Sequence, residues 1–218
     1  MTQLFRPGAD VIAHLALIAI VTAPFVLIGL LYVYTASPYR TGEHRSVEQT
    51  VPFSHEHHVA DLGIDCRFCH LDVETGRFAG MPSTHTCMTC HSQIWTNAAM
   101  LAPVRLSLVN DQPLKWTQVN NLPDYVYFDH SVHIAKGIGC ATCHGPVAQM
   151  PLTRQHASLA MSWCLGCHRN PAPNLRPRSE IYNTSWQPPP DHQRLAERLM
   201  RAYHIQTLTL TDCSTCHR

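Results

Sequence analysis

All ten cysteines of this 218-residue chain fall into five C-x-x-C-H runs, ending at His70, His91, His144, His168 and His217. The pairs are Cys66 and Cys69, Cys87 and Cys90, Cys140 and Cys143, Cys164 and Cys167, and Cys213 and Cys216, with none left over. Two thiols at this spacing can each add to a vinyl group of haem while the adjacent imidazole reaches the iron. A zinc site or a dithiol redox pair has no need of a histidine there five times out of five. A disulfide framework has no reason to pair cysteines so closely. The pattern therefore predicts five covalently bound haem c groups, anchored by the ten cysteines and ligated by the five histidines.

Five macrocycles limit what the chain can fold into. Apolar residues make up 45% of it, but much of that content lies in the first 34 residues, leaving about 184 residues at roughly one haem per 37. Porphyrins and iron–ligand bonds must then supply the core that sheets or packed helices normally supply. The expectation is a mostly irregular fold with short α-helices. The formal charge of +1 omits the haem propionates, and no basic patch points to nucleic acid.

An internal repeat organises the rest. Phe53 to His70 (FSHEHHVADLGIDCRFCH) and Phe128 to His144 (FDHSVHIAKGIGCATCH) agree at the phenylalanine, at both histidines of H-x-x-H, at Gly-Ile and at C-x-x-C-H. His55, His58, His130 and His133 thus offer four further imidazoles for iron. Each repeat continues through Met-Pro-x-Thr (residues 81–84 and 150–153) to a second haem run, and a fifth run stands at the C-terminus. This gives an anchor over 1–35, a juxtamembrane linker over 36–50, a first repeat with two haems and an insert over 51–127, and a second repeat with the last haem over 128–218.

Val11 to Tyr34 carries no formally charged side chain and, at about 1.5 Å per residue, is long enough to cross a hydrocarbon core of roughly 30 Å. It reads as one transmembrane helix. A cleaved signal peptide, ending at Thr35-Ala36-Ser37, is the rival. Haem attachment of this kind happens outside the cytoplasm, so the chain is expected to sit in the cytoplasmic membrane with its N-terminus inside and its haem domain outside. His14 lies within the span, as a quinone or proton site or as a neutral histidine near its edge. Pro24 is expected to kink the helix or mark a helix contact. Between the repeats, Leu114 to Val119 alternates like a short strand. The proline-rich segment Asn170–Pro190 reads as an extended arm, and Asp191–Ile205 has helical spacing.

The F-x-H-x-x-H…C-x-x-C-H repeat resembles the class III multihaem cytochromes, including the three-haem c7 type. The single span, the five haem runs, the CMTCHSQIW and WCLGCHR signatures, PDYVYFDHSVH and the final TDCSTCHR together resemble the ActA family, the pentahaem cytochrome c subunits of alternative complex III. The resemblance implies that His55 serves the haem of His70, His58 that of His91, His130 that of His144 and His133 that of His168. It also implies that the haem of His217 takes a ligand from just before the fourth run, where this chain has Met161, with Met150, His156 and His204 as competitors. His57, His85, His44 and His192 are expected at surfaces or beside propionates. The implied function is non-catalytic relay of electrons from iron-sulfur and integral-membrane quinol-binding partners to a soluble cytochrome c, a copper protein or an oxidase. The alternatives are a self-sufficient NapC-like quinol dehydrogenase and a multihaem reductase with an open iron.

Overall fold

The computed structural model describes Arg6 and residues 8–218; the first five residues and Pro7, part of the expected 1–35 anchor, lie outside the described residues. The chain divides into two compact units, one ending at Gly42 and one spanning Glu43–Arg218. The first holds helix α1 (Ala9–Ala36) and the short α2 (Pro38–Thr41), which ends where Gly42 turns left-handed at φ 81°. None of α1 is buried and its mean hydropathy over the central window is 2.6, so it is long and apolar enough to cross a membrane. Being apolar all round, it has no face that suits water. The helix runs unbroken through Pro24.

The second unit is built from short helices and turns. After α3 (Cys66–Cys69), α4 (Thr84–His91) and α5 (Ala102–Val109) come α6 (His130–Ala135), α7 (Cys140–His144), α8 (Met161–Arg169), α9 (His192–Ala202) and α10 (Cys213–Cys216). Among the described residues there are no strands, only isolated antiparallel bridges at Ser46–Arg154, Val126–His217 and Ile138–Leu175. The apolar core is two small clusters. Val51, Leu101 and Val104 gather Cys87, Met88, Leu114 and Trp116; Ile138, Leu175 and Leu199 gather Leu195, Met200, Tyr203 and Ile205.

Two expectations are corrected. Leu114–Val119 is extended but pairs with no strand, because the Gln49 side chain satisfies both backbone groups of Thr117 (2.7 and 2.8 Å) and the Thr50 hydroxyl takes the Lys115 carbonyl at 2.9 Å. A side-chain clamp replaces the ladder. The proline-rich segment is also not an extended arm: it turns helically at Ala172–Asn174 and Arg178–Glu180, Leu175 is wholly buried, Ile181 is 2% exposed, and the Arg176 guanidinium lies buried over Trp186 at 4.7 Å. Helix α9 forms where the leucine and charge spacing of Asp191–Ile205 placed it.

Candidate haem sites

The two H-x-x-H turns are built alike. His55 precedes a π-helical turn over Glu56–Asp61, and His130 opens α6 behind Asp129, whose carboxylate accepts from the Val132 amide at 3.3 Å. Phe53 meets His55 edge-on at 4.9 Å and stacks on His58 at 4.5 Å; Phe128 does the same to His130 and His133 at 4.8 and 4.4 Å. One aromatic ring thus fixes the orientation of two imidazoles in each repeat.

Each of these imidazoles faces the histidine of a C-x-x-C-H run. The ring centres are 6.5 Å apart for His55 and His70, 6.4 Å for His130 and His144, 6.2 Å for His58 and His91, and 6.2 Å for His133 and His168. Two imidazoles on opposite sides of one metal ion, with bonds of about 2.0 Å and roughly 1.1 Å from nitrogen to ring centre, would stand about 6.2 Å apart. Among the described residues no group of three or more His, Cys, Asp or Glu is placed to hold a metal. Two protein ligands per site fit an ion whose other four positions come from a macrocycle, and the paired thiols beside each site fit its anchoring.

The outer nitrogens complete the fit. With Nε2 given to a metal, Nδ1 carries the proton and needs an acceptor. His58, His70, His91, His130, His133, His168 and His217 each direct Nδ1 at a backbone carbonyl: Ser54 (2.8 Å), Gly80 (2.7 Å), Ile94 (3.3 Å), Arg77 (2.9 Å), Asp129 (2.7 Å), Leu210 (2.8 Å) and Tyr125 (3.2 Å) respectively. His55 directs Nδ1 at the Thr153 hydroxyl at 2.9 Å. His144 has Asn120 at 3.1 Å, with the amide nitrogen facing the ring and Oδ1 buried and unpartnered. Exchanging the two amide positions gives His144 an oxygen as its Nδ1 acceptor. None of these acceptors was predicted from the sequence, since a backbone carbonyl leaves no signal there; only Thr153 lay in a repeated motif.

Burial favours the neutral form of four of these imidazoles. It pulls His55 down to about 4, helped by the neighbouring His70 and His58, and His144 to about 4, helped by His130, His70 and His55. His58 and His133 are lowered for the same first reason. The thiols move the other way, with burial raising Cys140 to about 11 and Cys143 to about 12. Nearby thiols add to the effect on four of them: Cys87 on Cys69, Cys66 on Cys140, Cys167 and Cys164 on Cys143, and Cys216 on Cys164. These neighbours link the run of His91 to that of His70, His70 to His144, His144 to His168 and His168 to His217.

The remaining candidates are scattered. Among the described residues no second histidine ring faces His217; Met161, 61% exposed, opens the helix that carries Cys164 toward Cys216. Met150 is buried and its carbonyl accepts from the Glu56 amide at 3.1 Å. His156 lies edge-on to His44 at 6.0 Å, and His204 is exposed in a left-handed conformation. His57 packs on Trp95, His85 is exposed, and His192 gives Nε2 to the Leu175 carbonyl at 2.9 Å. His14 pairs with the Asp10 carbonyl at 2.8 Å within its own helix.

Residues 126–218 match the family described as cytochrome c7 and related cytochrome c. The chain carries a c7-like multihaem cytochrome domain. Cytochromes of this kind bind haem c covalently, which the paired cysteines and facing imidazoles accommodate. This multihaem cytochrome is also 29% identical, over 89% of its own length and 80% of the relative's, to the "Menaquinone reductase, multiheme cytochrome c subunit" of Nitratidesulfovibrio vulgaris.

Proposed function

We propose that this cytochrome is a membrane-anchored pentahaem electron relay within a quinone-linked membrane complex of the alternative complex III kind. The observation that carries the reading is the set of four facing imidazole pairs, which would ligate a bound haem iron from both sides and leave a substrate no open position at those four sites. When bound, the haems supply one-electron carriers, and the thiol neighbours support a relay with the sites of His91 and His217 at its two ends. The chain's own residues anchor, orient and bury: cysteines tether, Phe53 and Phe128 fix the distal rings, and the Nδ1 acceptors hold each imidazole in register.

In this reading α1 is a retained anchor with the haem domain outside the cytoplasm. One span makes a poor quinone pocket alone, so integral-membrane and iron-sulfur partners are expected on one side and a soluble cytochrome c, copper protein or oxidase on the other. Met161 is the assigned sixth ligand at His217, on the ground that its helix approaches Cys216. A second reading runs the same relay toward quinone, as the name of the Nitratidesulfovibrio vulgaris relative suggests.

The purified complex distinguishes these. Mixing it with a quinol should reduce the haems faster than mixing reduced complex with the quinone oxidises them; the reverse ordering supports the second reading. If neither reagent changes the haem spectrum while hydroxylamine or nitrite does, the relay reading fails.

A further inference from the structure

The two repeats hold each other's distal histidines. His55 of the first reaches the Thr153 hydroxyl of the second at 2.9 Å, and His130 of the second reaches the Arg77 carbonyl of the first at 2.9 Å. The backbone crosses with them: the Glu56 amide donates to the Met150 carbonyl at 3.1 Å, and the His130 amide to the Arg77 carbonyl at 3.1 Å. In both repeats the crossing segment is the stretch between its two C-x-x-C-H runs. In the second it is the Met-Pro-x-Thr motif itself.

The exchange is unequal in chemistry. A peptide carbonyl is a strong acceptor that loads electron density onto the imidazole, and a ligand made more basic stabilises the oxidised metal. A hydroxyl oxygen accepts more weakly. Every other histidine of the facing pairs directs Nδ1 at a carbonyl or at the Asn120 amide; His55 alone among them has a hydroxyl. Thr84, at the same place in the first repeat's motif, is turned to the Ser107 hydroxyl instead. The two threonines do different work.

We propose that Thr153 is a positioning residue, contributed by the second repeat, that tunes the reduction potential of the His55–His70 haem by supplying a weak Nδ1 acceptor to His55. This rests on the haem-relay reading. Removing the hydroxyl leaves the Nδ1 proton unpartnered, makes His55 a poorer donor to oxidised iron and raises that one potential. Putting an amide carbonyl there lowers it.

The test is a redox titration of the full chain, haems attached, as wild type and as Thr153→Val, Thr153→Ser and Thr153→Asn, with covalent haem content and low-spin spectra recorded for each. The expected result is unchanged haem content, one component shifted upward in the valine variant, wild-type potentials in the serine variant, and the same component shifted downward in the asparagine variant. Unchanged potentials in both the valine and asparagine variants overturn the proposal, as does an equal shift in the serine variant. If the valine variant loses haem, the serine and asparagine variants decide alone. Failure of the relay reading would show separately, as missing covalent haem or high-spin iron in the wild type.

Discussion

The angle between two axial imidazoles is a property of single side chains, and here it differs from site to site. The planes are within 9° for His55 with His70 and within 7° for His130 with His144, but 68° apart for His58 with His91. Parallel rings split the iron d orbitals that carry the unpaired electron, whereas crossed rings leave them nearly degenerate. Low-temperature EPR of the oxidised protein should therefore show rhombic low-spin signals together with one highly anisotropic signal of large g. Replacing His91's partner, as His58→Met, should remove that last signal alone; a spectrum with rhombic signals only would contradict the geometry. At the fifth run, Met161→Ala should open the reduced iron to carbon monoxide, and Met161→His should keep it low-spin at a lower potential. Unchanged spectra and potentials in both would make Met161 a packing residue. The four extra imidazoles were legible in the sequence because H-x-x-H and C-x-x-C-H are side-chain motifs, and their pairing was implied by the resemblance to c7-type cytochromes. The Nδ1 acceptors were not legible, because any residue can offer a carbonyl.

At the scale of elements, residue statistics misled where tertiary contacts outweigh local pattern. Alternation over Leu114–Val119 describes an extended chain, yet a strand needs a partner strand, and Gln49 occupies that place. Proline content over Asn170–Pro190 describes stiffness, yet Leu175 plugs the cluster of Ile138 and Leu199. Leu175→Ala should cost about 2–5 kcal/mol, the usual range for emptying a buried leucine site. Urea unfolding followed through the haem absorbance would measure it; a cost below about 0.5 kcal/mol, the range of surface substitutions, would mean the segment is dispensable. The loop entering α7 is equally constrained. Gly137 has φ 79°, and an added Cβ would sit 2.5 Å from the Tyr203 ring and 2.8 Å from the Arg176 carbonyl. Gly137→Ala combines left-handed strain of about 1–3 kcal/mol with a clash against backbone. It should destabilise more than Gly166→Ala in α8, where nothing lies within 4 Å.

For the whole molecule, scarcity of regular structure follows from stoichiometry, and the stoichiometry can be measured. A pyridine haemochrome assay should return five covalent haems per chain; haem that extracts into acidified organic solvent would show unfilled runs. Protease added to right-side-out vesicles should release the haem domain, and protection there would reverse the orientation proposed for α1. The crossed grip of Thr153 on His55 and of the Arg77 carbonyl on His130 also governs how such a molecule comes into being. A chain translocated in order from its anchor has its first two haem runs available for attachment while the acceptor for His55 is still to arrive. Its early half must wait, exposed to proteases and to free thiol chemistry, until the later half closes over it. A chain truncated between the repeats lacks the Thr153 hydroxyl for His55 and the Met150 carbonyl for Glu56, and should hold its first haem less firmly than the full chain does.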